Sequence, residues 1–164
     1  MNRVDTAAEG AQLQHVEPGY RQVLRLRLLA LWLPLVAGAL ILDYGALDET
    51  PFHGLASIAI PLFAILVVAI APQRIYSRLL YGLTERLLQV VRGWLFHTDT
   101  IVPFVRVQHL DVTRGPLDKM FGTATLVIHT AGTRNSIVTV PGLAPDRAAE
   151  IRDIIREHIR TDFA

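Results

Sequence analysis

Two stretches of this chain carry no charged residue, and they limit most of what it can become. Leu28–Leu42 (LLALWLPLVAGALIL) runs for fifteen residues and Gly54–Ala71 (GLASIAIPLFAILVVAIA) for eighteen. A helix crosses the hydrocarbon core of a bilayer with about 20 apolar residues, within a range of about 17–25. The second stretch meets that length unaided. The first meets it when the helix begins near Val23, with Arg25 and Arg27 reaching back to the headgroups, or continues through Tyr44–Leu47. Buried instead in a soluble core, two such helices separated by eleven residues would overfill so small a domain. The sequence therefore predicts a transmembrane hairpin over residues 18–72, with spans near 24–44 and 54–71, after a polar N-terminal tail at 1–17 and before a domain at 73–164. A cleavable signal peptide is not expected. Twenty-seven mostly polar residues precede the first stretch, no small-residue cleavage site follows it, and a second span comes soon after.

The charges set the orientation. Arg21, Arg25 and Arg27 precede the first span, and Arg74 and Arg78 follow the second. The connector from Asp43 to His53 has no lysine or arginine and carries Asp43, Asp48 and Glu49. The positive-inside rule then places both termini in the cytoplasm and the acidic connector outside, in a multi-pass membrane protein. Neither span holds an ionisable residue at its centre, so the usual mark of an ion or proton path is missing. Ser57 is expected to bond back to its own helix. With no cysteine, disulfides, thiolate metal ligands and cysteine nucleophiles are excluded. A net charge of +1 argues against nucleic acid as a partner.

From residue 73 the pattern changes to short β-branched runs between turn signals. Strands are expected near Ser77–Leu83, Arg86–Arg92, Leu95–Val102, Val107–Arg114, Thr123–Thr130 and Ser136–Val140. Turns are expected at Gly93, Arg114-Gly115-Pro116, Gly122, Ala131-Gly132 and Pro141-Gly142. Ala124, Leu126 and Ile128 alternate with Thr125, Val127 and His129, as in a strand with one buried face. Leu110 and Val112 repeat that alternation while Val107 is out of phase, which predicts a bulge near Gln108. Pro145–Arg160 reads as a helix with Pro145 in its first turn and Asp146 and Glu150 near its positive end. Its apolar stripe is Ala148, Ile151, Ile155, His158 and Ile159, with Ile154 alongside; Arg152, Asp153, Arg156, Glu157 and Arg160 face solvent. The fold class is α+β: a two-helix hairpin, then an antiparallel sandwich or barrel closed by an amphipathic helix.

In this arrangement the chain resembles the YdbS-like group of bacterial pleckstrin-homology (PH) membrane proteins. The likeness rests on Tyr81–Gly132 and on the closing VPGLAPDRAAEIRDIIREHI, with Thr84, Arg86, Gly93, Pro103, Arg106, Gln108, Gly115, Leu117, Gly122, Ala124 and Thr125 as landmarks. It implies that the domain is PH-like, that no enzyme activity is expected, and that the role lies in envelope stress or tolerance of membrane-active peptides. A larger paralogue with repeated PH-like domains is a partner the resemblance suggests.

The residues themselves carry little chemistry. Ser57, Ser77 and Ser136 are the only serines, and none sits in a G-x-S-x-G elbow. The six histidines form neither an H-x-x-x-H pair nor H-E-x-x-H. His109 and His129 read as surface or hydrogen-bonded structural residues, and Asp99, Asp111 and Asp118 as turn and strand positions. No catalytic residue, metal ligand or cofactor is expected. Arg21, Arg25, Arg27, Arg74 and Arg78 are candidate contacts to lipid headgroups, each contributing about 1 kcal/mol near an anionic surface; the same charges would also serve topology alone. The loop Arg114–Gly122 is a candidate interface through Arg114, Leu117, Lys119, Met120 and Phe121, whose spacing suits either core packing or a partner. The expected partners are membrane lipids and another membrane protein, with a second copy of the chain as a further option. Two further readings of function stay open: a sensor of anionic lipid, and a scaffold subunit of a membrane enzyme or transporter.

Overall fold

The computed structural model describes residues 12–46, 50, 51, 53–94, 96–131 and 137–162. The chain forms two units, one of Arg21–Arg74 and one that takes in the residues up to Tyr20 and those from Ile75 onward.

The first unit is built on helices α1, Gly19–Ala46, and α2, Leu55–Ser77. At about 1.5 Å per residue they extend about 42 and 34 Å, and both are long and apolar enough to cross a bilayer. Each outruns the span expected from its apolar stretch, because backbone hydrogen bonding continues through the polar ends. Pro72, one residue beyond the expected span, lies inside α2, and Ser77, expected to begin a strand, is its last residue. Arg21 Nη1 donates to Gln73 Oε1 at 2.9 Å, Trp32 and Phe63 meet edge-on with centroids 5.6 Å apart, and Asp43 faces Gly54. The partner numbers fall along α2 as they rise along α1, so the helices run antiparallel in step. Leu31, Leu33, Ile41, Ile58, Leu62 and Ile65 are exposed, which suits helices whose solvent is lipid.

Asp43, expected in the connector, sits in the last turn of α1 and is fully buried. Its carboxylate accepts the N–H of Gly54 at 3.0 Å and of Ser57 at 3.0 Å. Gly54 precedes α2 and has no side chain with which to cap it, so the first helix supplies the capping oxygen for the second. Ser57 Oγ donates to Gly54 O at 3.1 Å, so it bonds within its own helix start as expected. Residues 47–49, including the expected acidic pair Asp48 and Glu49, lie outside the described residues.

The second unit holds two antiparallel sheets. In the first, strand β1, Gln14–His15, pairs with β2, Leu80–Leu83, which pairs with β3, Leu87–Gly93, and then β4, His97–Pro103. A 3₁₀ turn, Phe104–Arg106, leads to β5, Val107–Thr113, a short helix α3, Pro116–Met120, and strands β6, Ala124–Thr130, and β7, Ile137–Leu143. The second sheet has the order β5-β6-β7, and helix α4, Pro145–Asp162, ends the fold. Arg92 Nη2 donates to Thr139 O at 2.9 Å and ties β3 to β7.

Ala124, Leu126 and Ile128 are buried as the alternation required, and the register between β5 and β6 shifts between Val107 and His109, at the expected bulge. Ala148, Ile151 and Ile155 are fully buried on α4. Ile154 is not part of that stripe: it is 39% exposed, turned about 100° from Ile155. Pro141-Gly142 is not a turn between elements. It lies within β7, where the register with β6 shifts between Ala124 and Leu126 and Gly142 adopts φ +78°. The expected strand starts at Leu95 and Ser136, and Gly132 of the expected turn, lie outside the described residues.

The largest departure concerns the segment expected as a free tail. Gln14 pairs with Tyr81 and His15 with Leu80, Val16 is buried, and the His15 ring stacks on Tyr76 at 6.0 Å. Glu17 N donates to Gly142 O at 2.7 Å, which links the segment to β7 as well. Two polar residues carry no periodicity, and they become a strand because β2 offers an unpaired edge.

Candidate functional site

The residues that launch and receive the helical hairpin line one cavity of about 340 Å³ in the second unit: Tyr20, Ile75 and Leu79 with Trp94, Phe96 and Pro141. Gly93 allows the β3–β4 connection to close tightly, since a Cβ there would stand 2.7 Å from the Phe96 carbonyl oxygen. The chain reverses with its aromatic residues outward, Trp94 at 44% and Phe96 at 84% exposure. Arg78, one residue beyond α2, donates from Nη1 to the Trp94 carbonyl at 3.1 Å. An apolar, aromatic tip is thus held against the end of the second helix. Sequence reasoning missed Trp94 and Phe96 by extending β4 back to Leu95. The signal available was a glycine followed by Trp-Leu-Phe, too apolar for an exposed turn unless something covers it.

The expected interface loop meets the chain at Gly19, one residue before Tyr20. Gly115 precedes α3, Pro116 opens it, and buried Asp118 accepts Gly115 N–H at 3.0 Å and Thr123 Oγ1–H at 3.0 Å. Arg114 Nε donates to Thr123 O at 3.3 Å, so this arginine closes the loop on itself. Leu117 and Phe121 are half-buried, and the Gly19 backbone rests against the Phe121 carbonyl with no room for a Cβ. Met120, 72% exposed, and Lys119 face outward. The structure therefore splits the five candidates: Arg114, Leu117 and Phe121 hold the loop, while Lys119 and Met120 are exposed.

The arginines have different surroundings. Arg78 is engaged with Trp94, and Arg21 with Gln73. Arg27 and Arg74 are exposed, and Arg25 is half-buried on the hairpin. His109 and His129 are cross-strand neighbours whose Nε2 atoms lie 3.0 and 3.7 Å from Asp111. Among the described residues no group of three or more acidic or histidine side chains is disposed to hold a metal ion.

Two bilayer-length apolar helices followed by a two-sheet antiparallel domain and a closing helix define a membrane protein that carries a PH-like domain. The family model described as "Bacterial PH domain" matches residues 26–159, and the chain belongs to that family. Among curated proteins it is similar to the UPF0699 transmembrane protein YdbS of Bacillus subtilis (strain 168), 38% identical over 94 residues. That stretch covers 57% of this chain and 57% of the relative's length. The resemblance carried by the landmarks from Thr84 to Thr125 is thereby confirmed. No solved structure matches the chain.

Proposed function

We propose that the chain is a non-enzymatic adaptor of the bacterial inner membrane, whose PH-like domain takes an extended segment of another membrane protein along the open edge of β4. The observation that carries this reading is the edge itself. Strand β4 runs for seven residues, pairs only with β3 among the described residues, and borders a groove of about 320 Å³ lined by Thr98–Pro103, Arg106, Thr130 and Val138. Such an edge is a template for a further strand, with main-chain hydrogen bonds giving affinity and side chains giving register. The relative's description as a transmembrane protein supports the location. The arginine bias supports cytoplasmic termini. The pairing of β1 with β2 also supports a placement of the segments before and after the hairpin on one side of the membrane.

Held beside the bilayer, the domain searches for its partner in two dimensions, so a weak intrinsic affinity suffices. A photo-crosslinking residue in place of Thr98, in the full chain in intact cells, is expected to give a discrete adduct with a membrane protein. The same residue in place of exposed Glu85 gives none. Identical adduct patterns at both positions would remove the edge-binding reading.

A second reading, a sensor of anionic lipid, is favoured by the exposed tip. Trp is at home in the headgroup region, and Trp94 is held by Arg78, four residues beyond Arg74. In the Trp32→Phe chain reconstituted in vesicles, Trp94 emission is expected to be quenched by lipids brominated near the headgroup and only weakly by acrylamide in the water. Strong acrylamide quenching with no effect of brominated lipid refutes the second reading.

A further inference from the structure

The helical hairpin carries an apolar groove of about 670 Å³, lined by Leu29, Trp32 and Val36 of α1 and by Pro61 and Val68 of α2, with Arg25 among its walls. Every lining residue except Arg25 is apolar. From Arg25 to Val36 the groove climbs eleven residues of α1, a rise of about 16 Å. That is about half of the roughly 30 Å hydrocarbon thickness, the depth of a single leaflet.

Arg25 stands at the end of this groove nearer the helix start. It is half-buried, and among the described residues it has no hydrogen-bond or ion-pair partner. A guanidinium withdrawn from water without a counter-charge is unfavourable unless an anion completes it. Its planar fork fits a phosphate through two parallel hydrogen bonds. The groove thus combines an apolar channel one leaflet deep with a single cationic group where that leaflet meets the headgroups. An amphiphile with an anionic phosphate head and one acyl chain of leaflet length matches both features. A zwitterionic lipid matches the second less well, because its own ammonium already balances its phosphate.

We propose that this groove is a binding site for one anionic glycerophospholipid, its acyl chain along Trp32 between the helices and its phosphate on Arg25. The proposal rests on the reading that the hairpin spans the bilayer, and it adds a specific ligand site that membrane spanning alone does not require.

Trp32 and Trp94 are the two tryptophans of the chain, so Trp94→Phe leaves Trp32 as a reporter inside the groove. The full chain with this change is placed in phosphatidylcholine nanodiscs. These contain equal mole fractions of either phosphatidylglycerol or phosphatidylcholine brominated along the acyl chain. The expected result is several-fold stronger quenching of Trp32 by the brominated phosphatidylglycerol. Arg25→Gln is expected to abolish that preference and Arg25→Lys to restore part of it. Arg156→Gln removes the same charge from an exposed position on α4, in the other unit, and is expected to leave the preference intact. Equal quenching by the two lipids, or a preference that survives Arg25→Gln, overturns the site while leaving the span in place. Trp32 shielded from both lipids and from aqueous acrylamide means that a protein helix covers the groove, which also overturns the proposal. Trp32 quenched by acrylamide alone removes the spanning reading, and the site with it.

Discussion

Truncating Phe104 to alanine is expected to destabilise the PH-like domain by about 3–5 kcal/mol, the range for removing a buried aromatic ring. Phe104 is fully buried at the start of the 3₁₀ turn that carries the chain from the first sheet to the second. Its backbone N–H donates to Arg86 O at 3.0 Å, and its ring meets His158 of α4 edge-on at 5.4 Å. One side chain therefore joins the β4–β5 crossover to the closing helix. A cavity there cannot be filled by collapse of a single neighbour, which places the loss in the upper part of the range. Domains of this size hold about 5–15 kcal/mol in total, so the substitution removes a large share. Thermal unfolding of the full chain in mild detergent, followed by far-ultraviolet circular dichroism, is the measurement. Phe104→Leu, which retains most of the volume, is expected to lose less than about 1.5 kcal/mol. Equal losses for leucine and alanine would contradict the packing role.

Gly142→Ala is the second large effect. The φ of +78° already disfavours any side chain, by about 1–2 kcal/mol. The added Cβ would also lie 2.6 Å from Tyr20 Cγ and 2.7 Å from Tyr20 Cβ. These atoms sit at the root of the tyrosine, so a rotamer change does not relieve the contact. Overpacking of this kind adds about 1–3 kcal/mol. Because Glu17 N–H is bonded to Gly142 O, the strain is expected to release the segment around β1 first. Amide exchange should show lost protection at Val16–Tyr20 before the β5–β6 pair is affected. Uniform loss across both sheets would show that the glycine serves the whole sandwich rather than this one junction.

What the sequence disclosed followed from how strongly each segment is buried. Strand β6 was legible because Ala124, Leu126 and Ile128 face one core and the residues between them do not. Helix α4 was legible because Ala148, Ile151 and Ile155 meet that same core at helical spacing. The end of α2 was not: Pro72 looks like a terminator, yet the helix continues past it to Ser77. Pro141-Gly142 has the composition of a turn but forms an irregularity inside β7, where the glycine makes room for Tyr20 rather than reversing the chain. Strand β1 was invisible because its cause lies in its partner's edge. In the candidate site, spacing groups Leu117, Met120 and Phe121, whereas the structural duties of Arg78 and Arg114 depend on carbonyls distant in sequence. Trp94 and Phe96 went unrecognised because alternation alone does not tell the last residues of a strand from an exposed reversal.

The junction of β1 with β2 bears on how the protein is made. Gln14 and His15 are synthesised before either helix, while the edge they complete, Leu80–Leu83, follows both. The earliest part of the domain must therefore wait for its neighbour to emerge from the ribosome. A chain threaded through the bilayer only once would leave the two segments on opposite sides and unable to meet. Completion of the first sheet is thus possible only where the segments before and after the hairpin lie on the same side of a membrane.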